Sequence, residues 1–226
     1  MAPKSDKDLF HILKTELFTA VVGDVLDAMG LRRQFLPAGI VPLKDDMTIA
    51  GRAMPVLEAD IFGGGGRGPL TDKAFGLVFE ALDSLKEGDV YIASGASFQY
   101  ALWGGLMSTR ALHLKAAGAV LDGYVRDSRE IERLGFPTFS RGRYAQDQGV
   151  RGKVIDYNVP LEIEGVRIEP GDLIYGDLEG VLVIPRHAEQ EAVERALEKC
   201  RTENQVADAI KAGMSTVEAY NTFGVM

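Results

Sequence analysis

The sequence predicts a mixed α/β fold, in which flanking N- and C-terminal helices enclose a core of short strands. Short apolar runs rich in valine, isoleucine and leucine alternate with helical segments, and glycines mark most of the boundaries. Of the 226 residues, 46% are hydrophobic, which suffices for a buried core. No linker or low-complexity segment interrupts the pattern, so we predict a single domain over residues 1–226.

The first half of the chain begins with a helical pattern and continues with an extended one. Residues 6–29 carry apolar side chains at spacings of three and four, which predicts one long helix. Residues 40–57 follow an extended pattern that includes Pro55, a residue suited to a strand edge. A loop through the four glycines 63–66 then leads into a predicted helix over residues 71–86.

The second half alternates strands and helices before a long terminal helix. Helices are predicted over residues 101–117, 128–134 and 187–212, with a helical tail from Ser215. Strands are predicted over residues 90–94, 119–122, 137–140, 173–175 and 180–185. Residues 150–166 read as a hairpin that turns at Glu164 and Gly165.

Composition narrows the possible partners and compartment. The formal net charge is -8 at pH 7, and an acidic surface argues against a nucleic-acid partner. Cys200 is the single cysteine, so neither an intrachain disulfide nor a cysteine-rich zinc site is possible. The polar amino terminus lacks the apolar run of a signal peptide, and no apolar segment is long enough to cross a membrane. We therefore expect a cytoplasmic protein with no membrane partner.

The most informative segment is residues 118–127, an apolar strand that runs through a glycine and ends in Arg126 and Asp127. Pockets form at strand ends in α/β folds, because the strand holds the backbone while the following loop is exposed. A guanidinium matches a carboxylate, and an aspartate offers a hard oxygen ligand to Mg2+ or Mn2+. The pair is a candidate site for a metal and a 2-oxo acid; the alternative is a structural ion pair.

A second candidate lies where two glycines, Gly104 and Gly105, precede Leu106 and Met107. At the start of a helix, backbone N–H groups lack partners and attract anions. The amides of Leu106 and Met107 are therefore candidate donors to a substrate carboxylate or a developing enolate oxygen. The alternative is a helix that needs glycine only to pack closely on the sheet.

The run from residue 101 to residue 127 resembles the RraA-like family, which includes metal-dependent 4-hydroxy-4-methyl-2-oxoglutarate aldolases with oxaloacetate decarboxylase activity. Further motifs that carry the resemblance lie at residues 22–27, 51–53, 87–90, 171–185 and 203–226. The resemblance therefore extends over most of the chain.

The resemblance implies a swivelling β/β/α domain that assembles as a homotrimer or homohexamer, with active sites between subunits. It implies that Asp127 holds the divalent metal, Mg2+ or Mn2+. Arg126 would bind the pyruvate moiety together with the amides of Leu106 and Met107. A glutamate from the C-terminal helix of a neighbouring subunit would complete the site, and Glu203 is its match here.

The reaction that the resemblance implies is that of a class II, metal-dependent lyase acting on a small 2-oxo acid. It would proceed by retro-aldol cleavage that releases pyruvate, by decarboxylation of oxaloacetate, or by both. One position departs from the family pattern, because the aldolases carry an aspartate where this chain has Gly105. Proton transfer would then need another group, such as Glu203 or a water.

Arg67 belongs to a glycine-rich loop over residues 63–68 that could close over the substrate and contact a second carboxylate. A plain flexible loop is the alternative, since glycine runs are also typical of unstructured segments.

A rival function is that of a non-catalytic regulator. The family takes its name from a protein that binds and inhibits an endoribonuclease, so a protein partner such as a ribonuclease is the alternative to a substrate. The terminal segments 6–29 and 187–226 resemble the longer, aldolase-like branch and favour the enzyme.

Overall fold

The computed structural model describes residues 5–61, 70 and 72–225. The helices in that part of the chain are α1 (Asp6–Glu16), α2 (Thr19–Ala28), α3 (Val78–Asp83), α4 (Gly105–His113), α5 (Ser128–Leu134), α6 (Glu189–Lys211) and α7 (Thr216–Phe223). The strands are β1 (Val41–Pro42), β2 (Ile49–Asp60), β3 (Asp89–Ser94), β4 (Ala101–Trp103), β5 (Gly118–Val125), β6 (Thr138–Arg143), β7 (Gly152–Tyr157), β8 (Leu161–Ile163), β9 (Val166–Ile168), β10 (Leu173–Asp177) and β11 (Gly180–Ile184).

One mixed sheet organises the molecule. Its main path runs β1-β6-β5-β3-β2-β10-β11, with β4 paired to β5 and β7 paired to β2. Strands β2, β3, β5 and β6 are mutually parallel, whereas β10, β11 and β7 join antiparallel. The carboxyl ends of parallel strands meet at one edge, where α/β folds place their ligands. The end of β5 therefore lies at the expected place for a site.

The two faces of the sheet bury separate apolar clusters. On β10, Leu173 and Tyr175 face one cluster, and Ile174 between them faces the other, as the two-residue period of a strand requires. Helices α1, α2 and α6 cover the first face, and α3, α4 and α5 contribute to the second. Each fully buried large side chain contributes roughly 2 kcal/mol, so both terminal segments are anchored by the core.

The predicted single helix over residues 6–29 is wrong, because the chain is extended at Leu17 and Phe18. The second helix begins at Thr19, whose amide donates to Asp177 Oδ2 at 2.8 Å and whose hydroxyl donates to Asp177 Oδ1 at 2.7 Å. A carboxylate distant in sequence therefore starts α2. Periodicity does not reveal this break, because both helices face the same apolar cluster.

Two further predicted helices are shorter than expected. The helix predicted over residues 71–86 is reduced to α3, preceded by turns within residues 72–77. The helix predicted over residues 101–117 begins as strand β4, which pairs with β5. Strand β4 is buried along its whole length, and a continuous apolar run does not distinguish a buried strand from a buried helix.

Pro55 lies inside β2 rather than at its end. One edge of β2 pairs with β10 over residues 49–52. From Val56 onward, the same edge pairs with β7. Pro55 stands between these two ladders, where its missing N–H costs no hydrogen bond on that edge. The prediction of a strand was right, but its extent depended on the neighbours.

The remaining elements largely follow prediction. Helix α5, strands β3, β10 and β11, and the turn at Glu164 and Gly165 are confirmed. The hairpin predicted over residues 150–166 is wrong in extent, because β7 pairs with β2 and only β8 and β9 form a hairpin. The C-terminal segment divides into α6 and α7, and Ser215 with Glu218 forms a capping box at the second.

In the part of the chain that the structure describes, none of the helices combines the length and apolar character needed to span a bilayer.

Candidate active site

Arg126 and Asp127 lie between the end of β5 and the start of α5. The Arg126 amide donates to the Trp103 carbonyl at 3.0 Å, which extends the pairing of β4 with β5. Asp127 has φ 56° and ψ 32°, a left-handed conformation that costs a non-glycine residue about 1–2 kcal/mol. Its carbonyl accepts from the amides of Glu130 and Ile131. The strained residue is therefore held by the first turn of α5.

The start of α4 contacts the Asp127 side chain directly. The Gly105 amide donates to Asp127 Oδ2 at 3.1 Å. A Cβ atom at Gly104 would lie 2.9 Å from the same oxygen, so glycine there permits the close approach. The amides of Leu106 and Met107 belong to the first turn, where the helix offers them no acceptor. They are available to an anion, which the helix dipole also favours.

Asp147 holds Arg126 from the other side. Arg126 Nη1 donates to Asp147 Oδ1 at 2.7 Å, and Arg126 Nε lies 3.8 Å from Asp127 Oδ2. The Gly149 amide donates to Asp147 Oδ2 at 2.8 Å, which fixes that carboxylate. The guanidinium has five N–H donors, so this single bond to Asp147 leaves donors for a ligand. Sequence analysis missed Asp147, because it lies in a loop without a recognisable motif.

A cavity of about 250 Å³ opens beside these groups. Its polar lining comes from Arg126, Asp127, Asp147 and Gln148. Its apolar lining comes from Phe75, Val78, Phe79, Leu102, Trp103, Leu106 and Met107. The volume lies below the usual range for drug-sized ligands, so the cavity suits a small molecule with an anionic group.

Gly105 faces Glu130 across the short gap between α4 and α5. A Cβ atom at Gly105 would lie 3.1 Å from Glu130 Oε2 and 3.3 Å from Asp127 Cβ. The exposed carboxylate of Glu130 therefore stands beside position 105, close to Asp127. Sequence analysis missed Glu130; its one available signal was its spacing three residues after Asp127 on a helix.

Gln148 connects the cavity lining to the core. Its Nε2 donates to Glu58 Oε2 at 2.6 Å, and Glu58 is only 1% exposed. Burial raises the pKa of Glu58 to about 8, although the hydrogen bond from Gln148 opposes that shift. Sequence analysis missed this pair as well, because a glutamate in a strand ordinarily faces solvent.

The family comparison covers this whole site. The family model described as RraA-like, Aldolase/RraA, matches residues 19–183. The chain belongs to the RraA-like family. The matched span includes the first turn of α4 together with Arg126 and Asp127, and the resemblance read from the sequence is confirmed.

Several RraA-like relatives align with most of the chain. A protein from Halalkalibacterium halodurans, provisionally named 4-hydroxy-4-methyl-2-oxoglutarate aldolase, is 31% identical over 205 residues, which is 89% of each chain. DlpA from Legionella pneumophila is 32% identical over 88% of this chain, but the match covers 31% of DlpA. Protein MJ0644 from Methanocaldococcus jannaschii is 32% identical over 58% of this chain and 62% of its own length. The chain thus spans under two thirds of the length of the last two relatives.

Solved structures of related proteins share the fold. A protein from Pseudomonas syringae superposes with a TM-score of 0.83 and 29% identity, covering 96% of this chain and 94% of that one. RraAS2 from Streptomyces coelicolor, described as an unusual member of the RNase ES inhibitor RraA protein family, superposes with a TM-score of 0.76 and 25% identity. That match covers 88% of this chain and 96% of RraAS2. The predicted α/β architecture is confirmed.

Most of the RraA-like site residues predicted from the sequence lie around one cavity. Those brought together are Gly104, Gly105, Leu106, Met107, Arg126 and Asp127. Glu203 lies elsewhere, on α6, with its carboxylate 3.5 Å from Lys199 Nζ and beside a separate surface groove that includes Val206. Its role in a neighbouring subunit stays a prediction. Arg67 lies outside the described residues.

Proposed function

We propose that this chain is a divalent-metal-dependent lyase acting on a small 2-oxo acid, by retro-aldol cleavage releasing pyruvate, by decarboxylation of oxaloacetate, or by both. One observation carries the proposal: Arg126, Asp127 and the first-turn residues Leu106 and Met107 line the same small cavity. The provisional aldolase name of the H. halodurans relative supports the same reaction class.

Arg126 is the proposed binding group for the substrate carboxylate. Its contact with Asp147 orients the guanidinium, and the unused N–H groups match the planar geometry of a carboxylate. The two first-turn amides, of Leu106 and Met107, then donate to the oxygen of the substrate that gains negative charge as the carbon–carbon bond breaks. Preorganised donors of this kind contribute about 3–4 kcal/mol each to lowering the barrier.

Asp127 is the proposed metal ligand, with Mg2+ or Mn2+ as the cofactor. The Gly105 amide occupies its Oδ2 atom, and among the described residues none donates to Oδ1. In the same part of the chain, no three histidine, cysteine, aspartate or glutamate side chains form a metal-binding group. One or two carboxylates with several waters suit Mg2+, so Asp127 fits such an ion. The bound ion would polarise the 2-oxo group.

Glu130 is the proposed replacement for the carboxylate that position 105 lacks. Its Oε2 atom lies 3.1 Å from the point where a side chain would leave Gly105. It can therefore accept hydrogen bonds from water beside Asp127 and take part in the proton transfer that the missing aspartate would otherwise serve. With Glu130 in this position, Glu203 is no longer the only side chain available for proton transfer.

The buried part of the apolar lining would shield one side of the substrate from water. Trp103 is 1% exposed, and Phe75 and Met107 are partly buried against the same core. A site with little water strengthens the contacts of Arg126 and of the amides with a developing negative charge.

Assembly and compartment complete the proposal. The family resemblance supports a cytoplasmic homotrimer or homohexamer in which Glu203 of one subunit approaches the cavity of the next. Sedimentation at several protein concentrations measures the stoichiometry. A monomer that turns over substrate at full rate would remove Glu203 from the mechanism.

The test is pyruvate formation from oxaloacetate, coupled to lactate dehydrogenase, with and without Mg2+ or Mn2+. We expect metal-dependent turnover above the metal-only blank, lost in Asp127→Asn. The matched control is Asp45→Asn, which removes an exposed carboxylate that does not line the cavity. Equal rates in Asp127→Asn and Asp45→Asn would refute the assignment of Asp127.

The similarity to RraAS2 supports a second function, that of a non-catalytic regulator of a protein partner such as a ribonuclease. Absence of turnover on oxaloacetate, on 4-hydroxy-4-methyl-2-oxoglutarate and on a panel of other 2-oxo acids would favour it. Inhibition of a purified ribonuclease by the intact chain would then be the deciding measurement.

A further inference from the structure

A buried carboxyl group lies beneath the polar lining of the cavity. Glu58 on β2 is 1% exposed, and its hydrogen-bond partner Gln148 is 6% exposed. The bond runs from Gln148 Nε2 to Glu58 Oε2 at 2.6 Å. Within the described residues, the other oxygen of Glu58, Oε1, has no hydrogen-bond partner, and neither has the buried hydroxyl of Tyr91.

The surroundings of Glu58 lack a compensating cation among the described residues. The titratable groups that interact electrostatically with it are the hydroxyl of Tyr91 on β3 and that of Tyr100, which donates to Asp60 Oδ1 at 2.8 Å. On β7, the residue paired with Glu58 is the apolar Val154. The charged neighbour of Val154 in sequence, Lys153, donates to the Leu70 carbonyl. An ionised Glu58 would therefore be a charge in the core that only the neutral Gln148 amide stabilises, which is costly.

Gln148 also belongs to the segment that holds Arg126. The preceding residue, Asp147, accepts from Arg126 Nη1 at 2.7 Å. The Gln148 carbonyl accepts from the Arg151 and Gly152 amides, at 2.6 Å and 3.0 Å. The side-chain bond to Glu58 thus ties this short segment, residues 146–149, to the sheet, and the segment in turn positions the guanidinium.

We propose that Glu58 is a positioning residue for the cavity, which in its neutral form anchors Gln148 and so sets Asp147 and Arg126 for an anionic ligand. This inference rests on the proposed function in naming that ligand as a 2-oxo acid. Because the charged form of Glu58 has only the neutral Gln148 amide as a partner, its ionisation draws water into the core, loosens residues 146–149 and weakens carboxylate binding. The raised pKa of Glu58, about 8, places that change at mildly alkaline pH.

The natural reporter is Trp103, the single tryptophan of the chain, which lines the cavity. Its fluorescence measures the Kd of pyruvate and of oxalate, a planar analogue of the pyruvate enolate, in Mg2+ at pH 6.5–9.5. In the wild type we expect Kd to rise about fivefold between pH 8 and pH 9, the change for one group that titrates near pH 8. In Glu58→Gln we expect a Kd that stays near the wild-type acidic value throughout.

Two further variants separate positioning from general damage. Glu58→Ala removes the acceptor of Gln148, so it should weaken binding about tenfold at every pH, and Glu58→Gln should restore it. Asp89→Asn is the matched control, because Asp89 is a half-buried carboxyl at the start of β3 that does not line the cavity. It should keep the wild-type pH profile. A wild-type pH profile in Glu58→Gln would overturn the inference.

A measurement without ligand distinguishes this inference from the proposed function. Hydrogen exchange across residues 144–152, corrected for intrinsic rates, should accelerate in the wild type between pH 7 and pH 9 but not in Glu58→Gln. If that difference is present while no variant binds pyruvate or oxalate, the proposed function fails and the anchoring role stands. Identical exchange in the two proteins at both pH values overturns the inference, whatever the turnover assays give.

Discussion

Two arginines contact carboxylates at opposite ends of the parallel strands, and their surroundings differ. Arg52 lies near the start of β2, whereas Arg126 follows the end of β5. Arg52 donates through Nε and Nη2 to Asp6, and through Nη1 and Nη2 to Glu189. Its side chain is only 11% exposed. Arg126 has one close carboxylate bond, to Asp147, and its side chain is 40% exposed.

The number of unused donors distinguishes these two sites. Arg52 uses its donors to tie α1 and α6 to β2, so it has a structural role at the termini. Arg126 keeps donors beside a cavity and beside first-turn amides. The same residue type therefore stabilises the fold in one place and is available to a ligand in the other, and adjacent sequence alone does not separate the cases.

The largest expected effect comes from Arg126→Gln. Losing a two-pronged, charge-assisted contact should lower kcat/KM for a 2-oxo acid about 1,000-fold, roughly 4 kcal/mol of transition-state stabilisation. The melting temperature should fall by no more than about 3 °C, because half-exposed ion pairs contribute little to stability. Steady-state kinetics and thermal unfolding check both values. A large loss of stability with unchanged kinetics would make Arg126 structural, like Arg52.

The second-largest expected effect is on stability and comes from Glu58. Among the described residues, its buried carboxyl group is bonded to Gln148 and has no arginine partner. Its pKa is raised from 4.5 to about 8 by burial, so the folded state binds its proton more tightly than the unfolded state does. The stability it contributes is therefore complete below about pH 4.5 and is lost as pH rises to about 8. Glu58→Gln should raise the free energy of unfolding at pH 8 by on the order of 3 kcal/mol.

Urea titrations at pH 5 and pH 8 test this dependence, since the gain of the variant must shrink as pH falls. An equal gain at both values would mean that ionisation of Glu58 is not its cause.

Arg52→Gln should show the opposite signature to Arg126→Gln. It leaves Glu189, which is 20% exposed, without its cation, and should cost about 2 kcal/mol in the free energy of unfolding. The value of kcat/KM should change less than about twofold. Arg167→Gln is the control, because the Arg167–Glu169 pair is largely exposed and should contribute almost nothing. A kinetic defect in Arg52→Gln would break the distinction drawn between the two arginines.

The smallest effect compares two adjacent glycines. A Cβ at Gly104 meets Asp127 Oδ2 at 2.9 Å, whereas a Cβ at Gly105 meets Glu130 Oε2 at 3.1 Å. The exposed Glu130 side chain can shift by a few tenths of an ångström and stay beside Asp127, whereas Asp127 itself is held by the Gly105 amide. Gly104→Ala should lower kcat/KM about tenfold, roughly 1.4 kcal/mol, and Gly105→Ala less than about threefold. Equal losses would indicate that Glu130 is as constrained as Asp127.

Local patterns were sufficient for much of the secondary structure and for the centre of the candidate site. The apolar run over residues 118–125 is a strand, and Arg126 and Asp127 follow it and line the cavity at its end. The glycines before α4 mark a helix start that meets Asp127. These placements were predictable because each depends on the spacing and backbone preferences of residues that are close together in the sequence.

The break between α1 and α2, the strand character of β4 and the placement of Pro55 were decided by tertiary structure. So were the positions of Asp147, Glu130 and Glu58, which lie beside Arg126, Gly105 and Gln148 respectively. The physical reason is common to all of them. Burial, a missing counter-charge and the approach of distant side chains exist only after folding brings separate segments together, so no local pattern encodes them.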